Sequence, residues 1–198
     1  MALDLRRRAF LIGSSIAAAA GAALYVFKKK PVEPIVAAPE QPKLAPGMGI
    51  PEGQAVLPDR YRDVLRAMVA RIYPDGASAD GAVTAKAYEY IEHELRRSNM
   101  QNTRRLLMNG AVTLDRVSLG QLKKGFVALT AAEQDVIIEA VQSGEGAPKS
   151  FSGEDFVAAA VAMTIEGMFC DPVYYGNAGE AGWKSIGYVM QNPRPKTP

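Results

Sequence analysis

The chain has 198 residues, 48% of them hydrophobic and 22% charged, with a single Cys, a single His and a single Trp, which is the composition of a globular protein with room for one domain and its appendages. One cysteine excludes an internal disulfide and any multi-cysteine zinc or iron–sulfur site, and one histidine leaves little else, so no metal site is expected. Residues 1–58 hold seven Lys and Arg against four Asp and Glu, and residues 59–198 hold sixteen against seventeen; the body therefore lacks the cation excess that binding nucleic acid requires.

The N-terminus has the order of an export signal. Arg6-Arg7-Arg8-Ala9-Phe10-Leu11 precedes an uncharged run from Phe10 to Phe27, and it resembles a twin-arginine signal with Arg7 and Arg8 as the pair, followed by Phe10 and Leu11. A helix of that length reaches about 27 Å, barely a bilayer core, so a retained membrane anchor is an alternative to cleavage. Residues 1–30 are thus expected to be signal or anchor, and the protein to lie in the periplasm, either free or tethered to the inner membrane. Residues 31–58 contain seven prolines and few large apolar side chains, which predicts a semi-extended linker with the folded domain spanning 59–198.

From Pro58 the pattern is helical. Tyr61, Val64, Leu65, Met68, Val69 and Ile72 recur at helical spacing up to Pro74. A second helix is expected with Asp80 as its cap and Val83, Ala87, Tyr90, Ile91 and Leu95 on one face. A third, from about Asn102 to Arg116, carries Leu106, Leu107, Ala111, Leu114 and, at its end, Val117, with Gly110 placed to admit a neighbour. Thr130 and Glu133 form a capping box that starts a fourth helix, with Val136, Ile137, Ala140 and Val141 facing inward and Gly144 as its stop. Ser152 with Asp155 resembles another box, flanked by Phe151 and Phe156 at the positions of a hydrophobic staple. No useful strand alternation is present, so the expectation is all-α: about five helices in a compact bundle, then a long aromatic and glycine-rich C-terminal loop.

That last stretch is the most unusual part of the sequence. Residues 164–188 contain the only Cys, the only Trp, three of the eight Tyr and five of the eighteen Gly. Its entering helix must stop near Asp171-Pro172, because proline disfavours helical geometry in the residue before it. Gly176, Gly179, Gly182 and Gly187 allow positive φ or close backbone approach. Asp171 and Asn177 are the short polar side chains that hold turns. Two readings stand side by side: the aromatics pack back on their own bundle, or they form a docking surface, since Tyr and Trp dominate interface hot spots.

Catalytic devices are sparse. His93, between Glu92 and Glu94, reads as a solvated surface histidine, and a hydrolase built on it would lack a nucleophile elbow. Glu166, Asp171 and Glu180 offer carboxylates with nothing to oppose them across a substrate. Cys170 beside Phe169 reads as a small buried apolar residue, against the alternative of a thiol facing a partner. The glycines follow no strand, so they make neither a dinucleotide fingerprint nor a phosphate loop. No catalytic residue is assigned.

The segment Asp171-Pro172-Val173-Tyr174-Tyr175-Gly176-Asn177, with Gly182-Trp183 and Ile186-Gly187-Tyr188 after it, resembles the ending of the gluconate 2-dehydrogenase subunit 3 family, with Tyr175 in place of that pattern's first glycine. Weaker likenesses are Ile72-Tyr73-Pro74, Gly81-Ala82-Val83 and Phe126 ahead of Thr130. The resemblance implies a non-catalytic small subunit of a membrane-bound, FAD-dependent sugar or polyol dehydrogenase. It implies that FAD resides in a large catalytic flavoprotein of the GMC class and haem c in a multihaem cytochrome, none of it in this chain. It further implies that the small subunit escorts the flavoprotein through twin-arginine export. On this basis Asp171, Pro172, Tyr174, Gly176, Asn177, Trp183, Gly187 and Tyr188 are the expected partner-binding residues, with Tyr174 and Trp183 as anchors. The alternative is an independent periplasmic helical binding module that meets another redox partner.

Overall fold

The computed structural model describes residues 49–190 apart from Ser78. The expected signal residues Arg7, Arg8, Phe10 and Leu11, and the first part of the expected linker, lie outside the described residues. Among the described residues the chain forms six α-helices and no strand: α1 (Asp59–Ile72), α2 (Ala87–Glu94), α3 (Gln101–Leu122), α4 (Ala131–Gln142), α5 (Gly153–Phe169) and the one-turn α6 (Ala181–Ser185). The expected all-α class holds, and α5 is the central element, packing against all five others.

The periodicity of α1 translates directly into packing, since Val64, Leu65, Met68, Val69 and Ile72 are all buried. Its outer face is tied to the rest by ion pairs. Arg71 on α1 donates two-pronged to the carboxylate of Asp135 on α4, at 2.7 and 2.8 Å. Arg60 pairs with the buried Asp115 of α3, whose other oxygen accepts from the amide of Phe126 at 3.0 Å. That second bond fixes the turn Phe126–Ala128, which drops the Phe126 ring, fully buried, into the core.

The second helix departs from expectation. Asp80 does not cap it; Asp75 instead accepts from the amides of Gly81 and Thr84. Burial opposes the charge on Asp75, but the hydrogen bonds from Thr84 and Gly81 more than offset it and hold the carboxyl below its ordinary range. Residues 82–86 therefore form tight turns, α2 begins only at Ala87 after a left-handed Lys86, and Val83 is exposed where an inward position was expected. Small residues carry this packing. Ala82, Ala85 and Ala87 are buried, and Gly167 on α5 faces Ala87 so closely that a Cβ there would lie 2.7 Å from the Ala87 carbonyl oxygen.

The remaining helices follow their sequence signals more closely. α3 is longer than expected because it runs on to Leu122 and ends in the left-handed Lys123. Gly110 admits Phe156, whose ring lies where a Cβ would be. Both halves of the Thr130–Glu133 capping box form, and Ser152 caps α5 through the amide of Asp155 while the rings of Phe151 and Phe156 meet at 5.9 Å. Val136, expected inward, is exposed, and the α4 core positions are Ile137, Ala140 and Val141. Thr130→Ala should remove one end of the box and cost about 1 kcal/mol. A calorimetric melt should register a fall of about 3–5 °C for a body of this size, and an unchanged melting point would show the box to be dispensable.

The packed body also begins earlier than the proline count suggests. Ile50, Val56 and Leu57, inside the expected linker, are buried. Arg96 makes this possible: its carbonyl accepts from the Ile50 amide at 2.8 Å, and its guanidinium donates to the carbonyls of Pro51 and Gln54 at 2.8 and 2.9 Å. A segment with few large apolar residues packs because its backbone polar groups find partners on the bundle.

Candidate partner-binding site

An α-helix leaves its last four carbonyls without intrahelical partners, and the end of α5 is where the aromatic, glycine-rich segment is bound. The amide of Asn177 donates to the carbonyl of Gly167 at 2.8 Å. Its side-chain amide donates to Cys170 O at 2.9 Å, and its side-chain oxygen accepts from the Gly182 amide at 2.8 Å. The indole nitrogen of Trp183 donates to Phe169 O at 2.9 Å. The amide of Ala178 reaches the carbonyl of Ala85 at 2.9 Å, so the same segment also grips the turns before α2.

The segment is therefore no loose loop. Pro172–Tyr174 and Ala178–Glu180 are 3-10 turns and residues 181–185 form α6, so the long loop expected here contains helical turns. Asp171 caps the first turn by accepting from the Val173 amide at 3.0 Å, with Pro172 at its first position. Gly176 and Gly182 are buried against the end of α5, where a Cβ would lie 2.3 Å from Gly167 O and 1.8 Å from Met168 O respectively. Gly187 has φ +73 and follows α6, whose Trp183 carbonyl accepts from Tyr188 N. The rings of Trp183 and Tyr188 meet edge-on at 5.4 Å.

The expected partner-binding residues thus divide into two groups. Gly176 and Asn177 are buried, Asn177 completely, and Trp183 is half-buried with its nitrogen committed to the body. Tyr174 and Tyr188 are exposed, together with Val173, Tyr175 and Ile186, which were not among the expected partner-binding residues. A buried polar frame holds out an apolar, aromatic rim. Self-packing and exposure, alternatives in the sequence, coexist on different residues.

The remaining candidates are placed as follows. Cys170 is a free, half-buried thiol, pushed up mainly by burial. Glu166 accepts from the Tyr90 hydroxyl at 3.2 Å; burial and that carboxylate push the Tyr90 phenol up. His93 is half-buried rather than fully solvated, and its ring stacks on Tyr175 at 4.1 Å with 26° between the planes. A contact across 82 positions leaves no periodic trace in sequence. Among the described residues no group of three His, Cys, Asp or Glu is arranged to hold a metal ion, and no helix is long and apolar enough to cross a membrane.

These features define an all-α protein with a structured aromatic C-terminal segment bound to the end of its central helix. The family model described as Gluconate 2-dehydrogenase subunit 3 matches residues 59–189, and the chain belongs to that family. No curated protein and no solved structure gives a significant match. Membership identifies the chain with a subunit of a dehydrogenase complex, which implies a catalytic partner subunit.

Proposed function

We propose that this chain is the non-catalytic small subunit of a periplasmic, FAD-dependent sugar or polyol dehydrogenase, and that it binds the catalytic flavoprotein and escorts it through twin-arginine export. The observation that carries the reading is the division of the C-terminal segment. Gly176, Asn177, Gly182 and Trp183 fix it to α5, leaving Val173, Tyr174, Tyr175 and Tyr188 exposed on a pre-ordered backbone. Side chains ordered in advance lose less freedom on binding, and aromatic side chains on such a frame give the largest contributions at interfaces. Asp171, Pro172 and Gly187 shape the turns, while Tyr174 and Tyr188 make the contact. FAD belongs to the flavoprotein and haem c to a cytochrome subunit. Arg7, Arg8, Phe10 and Leu11 provide the export signal, with the N-terminus either cleaved or kept as a membrane tether.

Co-expression and fractionation test this reading. With the small chain present, the flavoprotein is expected in the periplasm and co-purifies with it. Arg7→Lys together with Arg8→Lys should strand both chains in the cytoplasm, since lysine keeps the charge but lacks the planar fork of donors. Periplasmic recovery of the doubly substituted chain would refute the dependence on Arg7 and Arg8, and flavoprotein that reaches the periplasm while that chain stays in the cytoplasm would refute the escort role.

A further inference from the structure

Tyr175 ends the turn Pro172–Tyr174 in the left-handed region, at φ 72 and ψ −7. Glycine enters that region freely and an aromatic residue does not. A non-glycine residue persists in such a conformation where its surroundings hold it there. The Tyr175 amide donates to Pro172 O at 3.3 Å, and the His93 imidazole lies on the Tyr175 ring at 4.1 Å and 26°. The tyrosine is nonetheless 56% exposed, so one face of its ring rests on α2 while the rest stands in solvent beside Val173 and Tyr174. Asp171, which opens the turn, and Glu94, which is buried and paired with Arg97 at 2.8 Å, are the carboxylates that act on the neighbouring Cys170.

Resting on the reading that the C-terminal segment docks the catalytic subunit, we infer that His93 is a positioning residue for that interface. By stacking on Tyr175 it holds the tyrosine outward from a left-handed turn, extending the contact surface from the C-terminal segment onto α2. The edge of the catalytic subunit that fits there is apolar and carries arginine or lysine. Such a cation is attracted to the electron-rich face of an exposed tyrosine. A stack that served only the fold would be expected to bury the tyrosine; this one leaves most of it available to a partner.

The test measures the melting point of the small chain and its affinity for the purified catalytic subunit. Tyr175→Gly should leave the melting point unchanged or higher, because glycine is at ease at that φ, while weakening binding about tenfold. His93→Ala should weaken binding by about threefold to tenfold in the natural chain and by nothing further in the Tyr175→Gly background, the signature of two residues acting through one contact. His93→Phe, which restores a stacking ring, should recover the affinity. The inference is overturned if His93→Ala leaves affinity unaltered, if the two losses multiply in the double variant, or if His93→Phe fails to rescue. Asn177→Ala, which releases the whole segment, separates this from the underlying reading. A complex lost with Asn177→Ala but kept with Tyr175→Gly refutes the role of His93 alone, whereas a complex kept with both refutes docking through this segment.

Discussion

Asn177→Ala should free the C-terminal segment from the bundle and abolish recovery of the catalytic subunit, while the helices stay folded. Asn177 is completely buried, and its side chain makes two bonds that alanine cannot replace, one to Cys170 O and one from Gly182 N. A buried donor or acceptor left without its partner costs about 1–3 kcal/mol. The residue also sits at φ 47, where asparagine is tolerated far better than alanine, adding about 1 kcal/mol. Together these reach about 3–5 kcal/mol, enough to raise the open population of the segment by roughly two to four orders of magnitude. The bundle core, with Met68, Leu114, Phe126, Ile137 and Phe156 fully buried, does not depend on that side chain. Hydrogen exchange should therefore accelerate steeply at Val173, Gly182 and Tyr188 and change little in α3 and α4. Asn177→Asp keeps the acceptor for Gly182 but loses the donor to Cys170, and an intermediate effect is expected. Unchanged protection across residues 171–188 in the alanine variant would mean that Asn177 does not secure the segment.

The parts of this architecture that were legible in the sequence are those whose cause is local. A capping box needs only Thr130 and Glu133 three residues apart, a staple needs Phe151 and Phe156 about one cap, and both form. Asp171-Pro172 ends α5 because the stop is written in the backbone of two adjacent residues. Even the close approach at Gly110 was legible, as a glycine amid a large apolar face. The misreadings have tertiary causes. Asp80 and Val83 fit a helix start in isolation, but Asp75 takes the amides of Gly81 and Thr84, and the chain folds into turns there. Ile50, Val56 and Leu57 are buried because a distant Arg96 satisfies the carbonyls between them. In the candidate site, Asn177 and the glycines were recognisable as turn formers, whereas their common target, the carbonyl end of α5, is defined only once the segment folds back. The stack of His93 on Tyr175 is the extreme case, since neither residue's neighbours in sequence announce the other.

Tyr174→Ala and Trp183→Ala should fail in different ways, although the sequence makes them equivalent anchors. Trp183 is the only tryptophan; it is half-buried, bonded through its nitrogen to Phe169 O, and packed edge-on against Tyr188. Its removal leaves a carbonyl at the end of α5 without that donor and opens a gap beneath α6, a loss of about 2–4 kcal/mol. The melting point should fall markedly, and partner binding should fall with it because Tyr188 loses the ring it leans on. Trp183→Phe keeps most of the packing and removes only the N–H, so it should cost about 1–2 kcal/mol and retain much of the binding. Tyr174 is 52% exposed at the tip of a 3-10 turn. Its truncation should move stability by no more than about 0.5 kcal/mol. In the complex, however, an aromatic anchor enclosed by the partner is worth about 2–4 kcal/mol, or roughly thirty- to a thousandfold in affinity. Thermal melts and titration of the catalytic subunit on the same two proteins distinguish frame from contact. If Tyr174→Ala binds as tightly as the natural chain, the exposed rim is not the docking surface and the partner must engage a helical face of the bundle; if Trp183→Ala melts unchanged, its indole does not hold the segment to α5.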